Sequence, residues 1–296
     1  MVEALGETMT KSSVLVLGGT GNLGESVRRL STLFTEFSFF FPSREEFPLG
    51  DGARICDRLD EIKPDAIING IAWTNVDEAE KNHPEARYLN AVLPGVIASW
   101  CSDRGARFIH YSTNYVFDGS HPSPYLETDR KSPLSFYGIS KSDGEDAVLG
   151  IAAPSSVIVR TSGLYGFTPN NFVMKILNRA RRGDELRVVV DQEMTPTSAD
   201  DLARFSLALL KREQLPKVIH FANHGSTNWN EVARAVYLFL GQDPEKVKKV
   251  EYSEYPSIAK RPQQGRLGTL YPDLVAESNH NWNESLDRFL SEVVHD

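Results

Sequence analysis

The apolar run Val14-Leu15-Val16-Leu17 passes directly into Gly18-Gly19-Thr20-Gly21-Asn22-Leu23-Gly24, and a helical pattern begins at Asn22. A strand, a glycine-rich turn and a helix in that order constrain this chain more than any other feature. Glycines at 18, 21 and 24 let the backbone turn tightly and approach a pyrophosphate. The helix N-terminus then offers free N–H groups and a partial positive charge. Gly18, Thr20, Gly21, Asn22, Leu23 and Gly24 are therefore candidate cofactor-binding residues. A simple tight turn would use the same glycines, so it is the strand before and the helix after that favour a dinucleotide.

The rest of the chain repeats the strand–helix rhythm. Apolar runs at 38–41, 66–69, 108–112 and 156–160 read as strands, and helical patterns fall at 53–62, 85–104 and 137–149. Strands alternating with helices at this spacing predict a parallel, doubly wound α/β sheet of the Rossmann type. The aromatic run Phe37 to Phe41, ended by Pro42, is expected to be a buried strand. After Arg160 the rhythm changes to helices near 172–182, 199–211, 228–240 and 284–293, with short strands near 187–190 and 217–221. The expected division is a tail over 1–11, a dinucleotide-binding domain over 12–160 and a smaller mixed substrate lobe over 161–296. With no Ser/Gly linker, the two should be intimate and their boundaries can interleave.

Composition removes several classes. The 296 residues carry 32 Lys+Arg against 40 Asp+Glu, a net charge of −8. That argues against general nucleic-acid binding, which needs dense cations to replace phosphate counterions. No apolar run is long enough to span a bilayer, and the polar first dozen residues lack a secretory signal's apolar core. A cytoplasmic protein is expected. Cys56 and Cys101 cannot build a disulfide framework or a four-ligand zinc site. The histidines are scattered, so no metal is expected. His110 reads as core, Trp100, Trp229 and Trp282 as packing residues, and the basic stretch 175–182 as a solvated helix face.

Three further clusters carry chemistry. After the second strand stands Pro42-Ser43-Arg44, with no acid until Glu45. NAD-selective sites place an acid there for the ribose hydroxyl, whereas a hydroxyl and a guanidinium suit a 2′-phosphate. NADPH is thus expected, with NADH possible. Ser43 and Arg44 would hold the phosphate, and Asp51 is a candidate adenine contact. Tyr137-Gly138-Ile139-Ser140-Lys141 puts a phenol and an ammonium on one helix face. The ammonium would lower the phenol's pKa and tune it for proton transfer. Ser112-Thr113-Asn114 follows the fourth strand, at the carboxyl end where open α/β sheets place ligands.

These residues make the chain resemble an extended short-chain dehydrogenase/reductase, and more closely the dTDP-4-dehydrorhamnose reductase family. The resemblance covers about 14–267. Its most specific parts are Asn69-Gly70-Ile71-Ala72-Trp73-Thr74-Asn75-Val76-Asp77-Glu78-Ala79-Glu80, His110-Tyr111-Ser112-Thr113-Asn114-Tyr115-Val116-Phe117-Asp118-Gly119, Tyr125-Leu126-Glu127-Thr128-Asp129, Pro133-Leu134-Ser135-Phe136-Tyr137-Gly138 and Arg160-Thr161-Ser162. Weaker echoes are Asp191-Gln192, Pro196-Thr197 and Arg261-Pro262.

The resemblance implies reduction of the 4-keto group of a nucleotide-linked deoxysugar. In that reading Thr113 and Tyr137 hold the keto oxygen and Tyr137 donates the proton. Lys141 binds the nicotinamide ribose. Gly70, Ala72 and Thr74 line the cofactor, with Ser112 and Asn90 beneath it. Asn114, Val116, Phe117, Ser162, Asn171 and Gln192 would face the sugar, and Arg266 the diphosphate. The chain departs from the family at Asn114 (commonly Asp), Gly163 (often Trp), Met194 (usually Gly) and Gly265 (usually small and polar). These departures leave the sugar open. The expected partner is a small nucleotide sugar, with no nucleic acid or membrane, and a homodimer is the candidate assembly. The alternative is a non-catalytic regulatory protein like the beta subunit of methionine adenosyltransferase, which resembles the same family.

Overall fold

The computed structural model describes residues 11–151, 155–254 and 257–295. The expected tail over 1–11 lies, apart from Lys11, outside the described residues.

Six parallel strands form the central sheet: β1 (Ser12–Leu17), β2 (Phe37–Phe40), β3 (Ala66–Asn69), β4 (Arg107–Thr113), β5 (Ser156–Thr161) and a sixth, Val218–His220. Their spatial order is sixth–β5–β4–β3–β1–β2. The order reverses between β1 and β3, the point at which doubly wound sheets open a crevice beyond the strands' carboxyl ends. Alternating side chains feed two cores, as the period of a strand requires. Val14, Val16 and Ile68 pack with Leu23, Val27, Leu202 and Phe205 on one face. Leu15, Leu17 and Ile67 pack with Ile55, Leu59, Ile97 and Val148 on the other.

Two expectations are corrected. The Phe37–Phe40 strand is not buried: it is the sheet's edge, and its residues alternate between half-buried and exposed. The strand near 217–221, read as part of the second lobe, pairs with β5 inside the main sheet. The helix Ala199–Leu209 likewise supplies Leu202 and Phe205 to the first core. The chain therefore returns to the dinucleotide-binding half after starting the other one.

A buried ion pair secures that return. Arg160, from β5, donates to both oxygens of the fully buried Glu145 carboxylate, at 2.8 and 2.7 Å. Its Nη1 lies 3.2 Å from Nε2 of His220 in the sixth strand. Burial holds His220 well below the ordinary imidazole range. The neutral ring accepts at Nε2 and donates from Nδ1 to the Gly268 carbonyl, 2.8 Å away.

The helical stretch 85–104 is broken into His83–Arg87, a wide π turn over Tyr88–Val92, and Leu93–Arg104, which ends on Gly105. Such turns recur near functional sites. Here the turn carries Asn90, discussed below. A third core unites the helices Phe172–Arg181, Trp229–Phe239 and Trp282–His295 around Tyr165, Val173, Val236 and Phe289. Buried Asp201 accepts from Asn223, Ser285 and Arg288, at 2.8, 2.5 and 2.8 Å, and so ties the last helix to Ala199–Leu209.

Candidate active site

The glycine turn sits where the sheet order reverses. The helix that follows it, α1 (Asn22–Leu30), has Gly21 at its N-cap and no side chain capping it, so its first N–H groups face the cleft. A β-carbon at Gly24 would stand 2.3 Å from the Gly18 carbonyl oxygen, so only glycine allows the helix to start this close to the turn. Leu23 faces the core, while Thr20 and Gly21 are exposed. Asn22 ties the turn to the other half of the molecule: its Oδ1 accepts from the Thr168 hydroxyl at 2.6 Å and from Asn171 Nδ2 at 3.2 Å.

Arg44 is exposed and makes no hydrogen bond or ion pair among the described residues. Ser43 is engaged in a local turn, where its N–H donates to Glu46 and its hydroxyl accepts from the Glu46 N–H. Asp51 caps the helix Gly52–Ile62, accepting from the Ala53 N–H at 2.9 Å. The sequence reading missed Arg28. Its guanidinium lies 4.1 Å from the centre of the Phe41 ring and beside Gly19, at the corner Arg44 flanks.

Across the crevice, Gly70, Ala72 and Thr74 form the exposed or half-exposed loop after β3. Asn90 is fully buried behind it. Its Oδ1 accepts from the Trp73 N–H at 2.8 Å, and its Nδ2 donates to the Trp73 carbonyl and the Ser140 hydroxyl. Asn90 thus joins this loop to the helix Phe136–Leu149, with both amide N–H groups engaged by protein. Ser112 is buried at the end of β4.

That helix brings the reactive groups together. Ser135 caps it, and Glu80 accepts the Phe136 N–H. At Gly138 a β-carbon would stand 2.3 Å from the Tyr115 carbonyl, so the missing side chain lets the helix press against the turn Asn114–Val116. Tyr137 is thereby carried beside Thr113. Tyr115 packs edge-on against Tyr137 at 5.4 Å. Lys141 is buried, and its Nζ donates to the Tyr111 carbonyl at 2.6 Å.

Burial pushes the Tyr137 phenol up to about 12, with the neighbouring Thr113 hydroxyl acting in the opposite direction. The expected lowering by the ammonium is not what governs this phenol. Burial in turn brings the Lys141 ammonium down to about 8, opposed by Glu145 one helical turn further on. A raised phenol suits a proton donor, because it is still protonated at neutral pH.

Beyond Thr113 opens a cavity lined by Asn114, Tyr115, Ser162, Gly163, Gln192, Glu193, Met194, Trp229 and Pro262. Gln192 aims a buried Nε2 with no partner among the described residues. Met194 fills the space beside Gly163: its sulfur lies 3.0 Å from where a β-carbon would stand. Trp229, read from sequence as packing, is one wall. Helical spacing gives no sign of this, because a side chain at a helix's first turn can face either core or cleft.

Three expected sugar contacts lie elsewhere, and the expected diphosphate contact is already engaged by protein. Val116 and Phe117 are 0% and 1% exposed and pack with Tyr125 in a small core of their own. Asn171 caps the helix Phe172–Arg181 beside the glycine turn, accepting from the Met174 N–H. Arg266 is already neutralised, with Nε 3.3 Å from the Glu193 carboxylate and Nη2 donating to the Pro122 carbonyl.

Comparison with known proteins identifies the family. A dTDP-4-dehydrorhamnose reductase from Sinorhizobium fredii is 37% identical over 76% of this chain and 78% of its own length. A probable dTDP-4,6-dihydroxy-2-methyloxan-3-one 4-ketoreductase from Streptomyces antibioticus is 34% identical over 86% of each chain. The crystal structure of a dTDP-4-dehydrorhamnose reductase from Bacillus anthracis in complex with NADP superposes with a TM-score of 0.87 at 29% identity, covering 96% of this chain and 100% of that one. The family model described as RmlD substrate binding domain matches residues 12–295. From the glycine turn to the last helix, the chain belongs to the dTDP-4-dehydrorhamnose reductase family.

Proposed function

We propose that this chain is an NADPH-dependent reductase of the 4-keto group of a nucleotide-linked 4-keto-6-deoxyhexose, with dTDP as the expected nucleotide. The observation that carries the reading is the convergence of Thr113, Tyr137 and Lys141 between an uncapped helix N-terminus and the cavity walled by Ser162, Gln192, Met194 and Trp229. The residues present fit the cofactor: the Gly24 approach leaves a backbone cradle for a pyrophosphate, and Arg44, unpaired among the described residues, is a cation for a 2′-phosphate.

Bound NADPH supplies the hydride to C4 of the sugar. Tyr137 donates to the keto oxygen, and the Thr113 hydroxyl turns from Asn114 Oδ1 to join it, so the charge that develops there meets two donors. Tyr137 passes its phenolic proton to that oxygen, and the carbonyl becomes an alcohol. The phenolate left behind is stabilised by the Lys141 ammonium one turn away, itself anchored on the Tyr111 carbonyl. Gln192 Nε2 and the Ser162 hydroxyl are the polar groups offered to the sugar, while Trp229, Met194 and Pro262 form its apolar walls.

The test is direct. Purified protein with NADPH and a panel of dTDP-4-keto-6-deoxyhexoses should consume cofactor at 340 nm and give a 4-hydroxy product whose configuration NMR reads. Absence of turnover across the panel, with stable co-purification with a synthetase, would select the regulatory alternative.

A further inference from the structure

We propose that Asn114 is a positioning residue: its amide latches the segment 257–268 across the sugar end of the cleft and braces the Thr113 hydroxyl from behind. The Asn114 Nδ2 donates to the Gly265 carbonyl at 3.1 Å, and its Oδ1 accepts from the Thr113 hydroxyl at 3.3 Å. One side must give a proton and the other must receive one. Among side chains of this size only a carboxamide does both while remaining neutral; a carboxylate offers two acceptors and would face the Gly265 carbonyl with its charge.

The fit is close on the other side as well. A β-carbon at Gly265 would stand 2.3 Å from the Asn114 Nδ2 and 3.2 Å from the Glu193 carbonyl. The Ser162 hydroxyl also donates to the Gly265 carbonyl, at 3.4 Å. Asn114 and Gly265 are therefore a matched pair, and the two departures from the family pattern at these positions answer each other.

The segment is pinned along its length, and position 265 is where it meets the catalytic loop. Asp77 accepts from Ser257, Ile258, Ala259 and Arg261 at 2.9 to 3.1 Å, which fixes one end to the loop after β3. The Glu193 backbone donates to the Gln263 carbonyl and accepts from the Gly265 N–H, both at 2.7 Å, which joins the middle to the cavity wall. The Arg266 carbonyl accepts from the Tyr125 N–H at 2.9 Å, which fixes the far side. Pro262, within the segment, lines the cavity. Loosening the latch thus opens the sugar pocket and releases the support behind Thr113, and it leaves the glycine turn untouched.

The inference rests on the reductase reading for its kinetics but not for its structure, so two kinds of measurement separate the failures. Amide hydrogen exchange on the free protein should be about tenfold faster over 257–268 in Asn114→Asp, with the central sheet unchanged. In turnover, Asn114→Asp should raise KM for the keto sugar about tenfold and lower kcat several-fold, with the NADPH Kd, read by fluorescence, within twofold of wild type. A merely structural defect would weaken cofactor and sugar together. A double-mutant cycle completes the test: Gly265→Ala should be damaging alone and much less damaging in the Asn114→Ala background, where the atom it collides with is gone. Wild-type exchange in Asn114→Asp, or additive effects of Gly265→Ala and Asn114→Ala, would overturn the proposal.

Discussion

The two ends of the cleft are built differently. The cofactor end is made mostly of backbone: a glycine turn, the first N–H groups of α1, and the loop after β3, drawn from two short contiguous stretches. The sugar end is made of side chains from five separated places, around 114, 162, 193, 229 and 262. Backbone recognition tolerates little change, because a single added carbon collides with a carbonyl. A wall of side chains can exchange its members one by one, as Met194 beside Gly163 illustrates. The same chemistry can thereby be presented to a different sugar.

That contrast can be broken or sharpened by experiment. Tyr137→Phe should cost about 10^2 to 10^4 in kcat, the usual worth of a positioned proton donor, with the NADPH Kd unchanged; near-wild-type turnover would remove the phenol from the reaction. Gly24→Ala should destabilise the protein by about 1–3 kcal/mol through overpacking. It should also weaken NADPH more than any substitution at the sugar end, as thermal melts and titration would read. Arg44→Ala should weaken NADPH by about one to two orders of magnitude, the worth of a charge-assisted hydrogen bond of about 1.5–3 kcal/mol, and NADH hardly at all; equal effects on both cofactors would refute the 2′-phosphate role. Met194→Ala, the smallest expected effect, should alter the ranking of two keto sugars by about threefold with no change in cofactor Kd.

The pH profile probes the join between the two ends. Lys141 titrates near pH 8, so kcat/KM for reduction should fall as pH rises through that value, because the neutral amine no longer stabilises the phenolate. Tyr137, pushed up to about 12, stays protonated across the same range and adds no second limb. Stability runs the other way. The folded protein binds the Lys141 proton less tightly than the unfolded chain, so this group's penalty is full below pH 8 and relieved between 8 and the ordinary 10.5. A melting temperature that gains nothing from this group over that window would contradict the assignment.

What the sequence revealed follows the same division. The glycine turn, Thr113 and the Tyr137–Lys141 spacing are local signals, set by a turn or by one helical repeat, so the order of residues along the chain is enough to place them. The sugar wall depends on which distant segments meet. Trp229 therefore reads as packing, Val116 and Phe117 as contacts, and Arg266 as a free cation, although Glu193 already balances it. Burial misleads in a subtler way at Lys141 and Tyr137. Spacing shows that two groups share a face, but it says nothing of how much water each has lost, and here the lost water governs both ionisations.

The sixth strand has an engineering consequence. Because Val218–His220 completes the sheet against β5, a fragment ending near residue 160 would carry an unpaired parallel edge and a guanidinium stripped of its histidine neighbour, an invitation to aggregate. Sugar preference in this architecture cannot be transplanted as a carboxy-terminal cassette. It has to be moved as scattered point changes on an undivided scaffold.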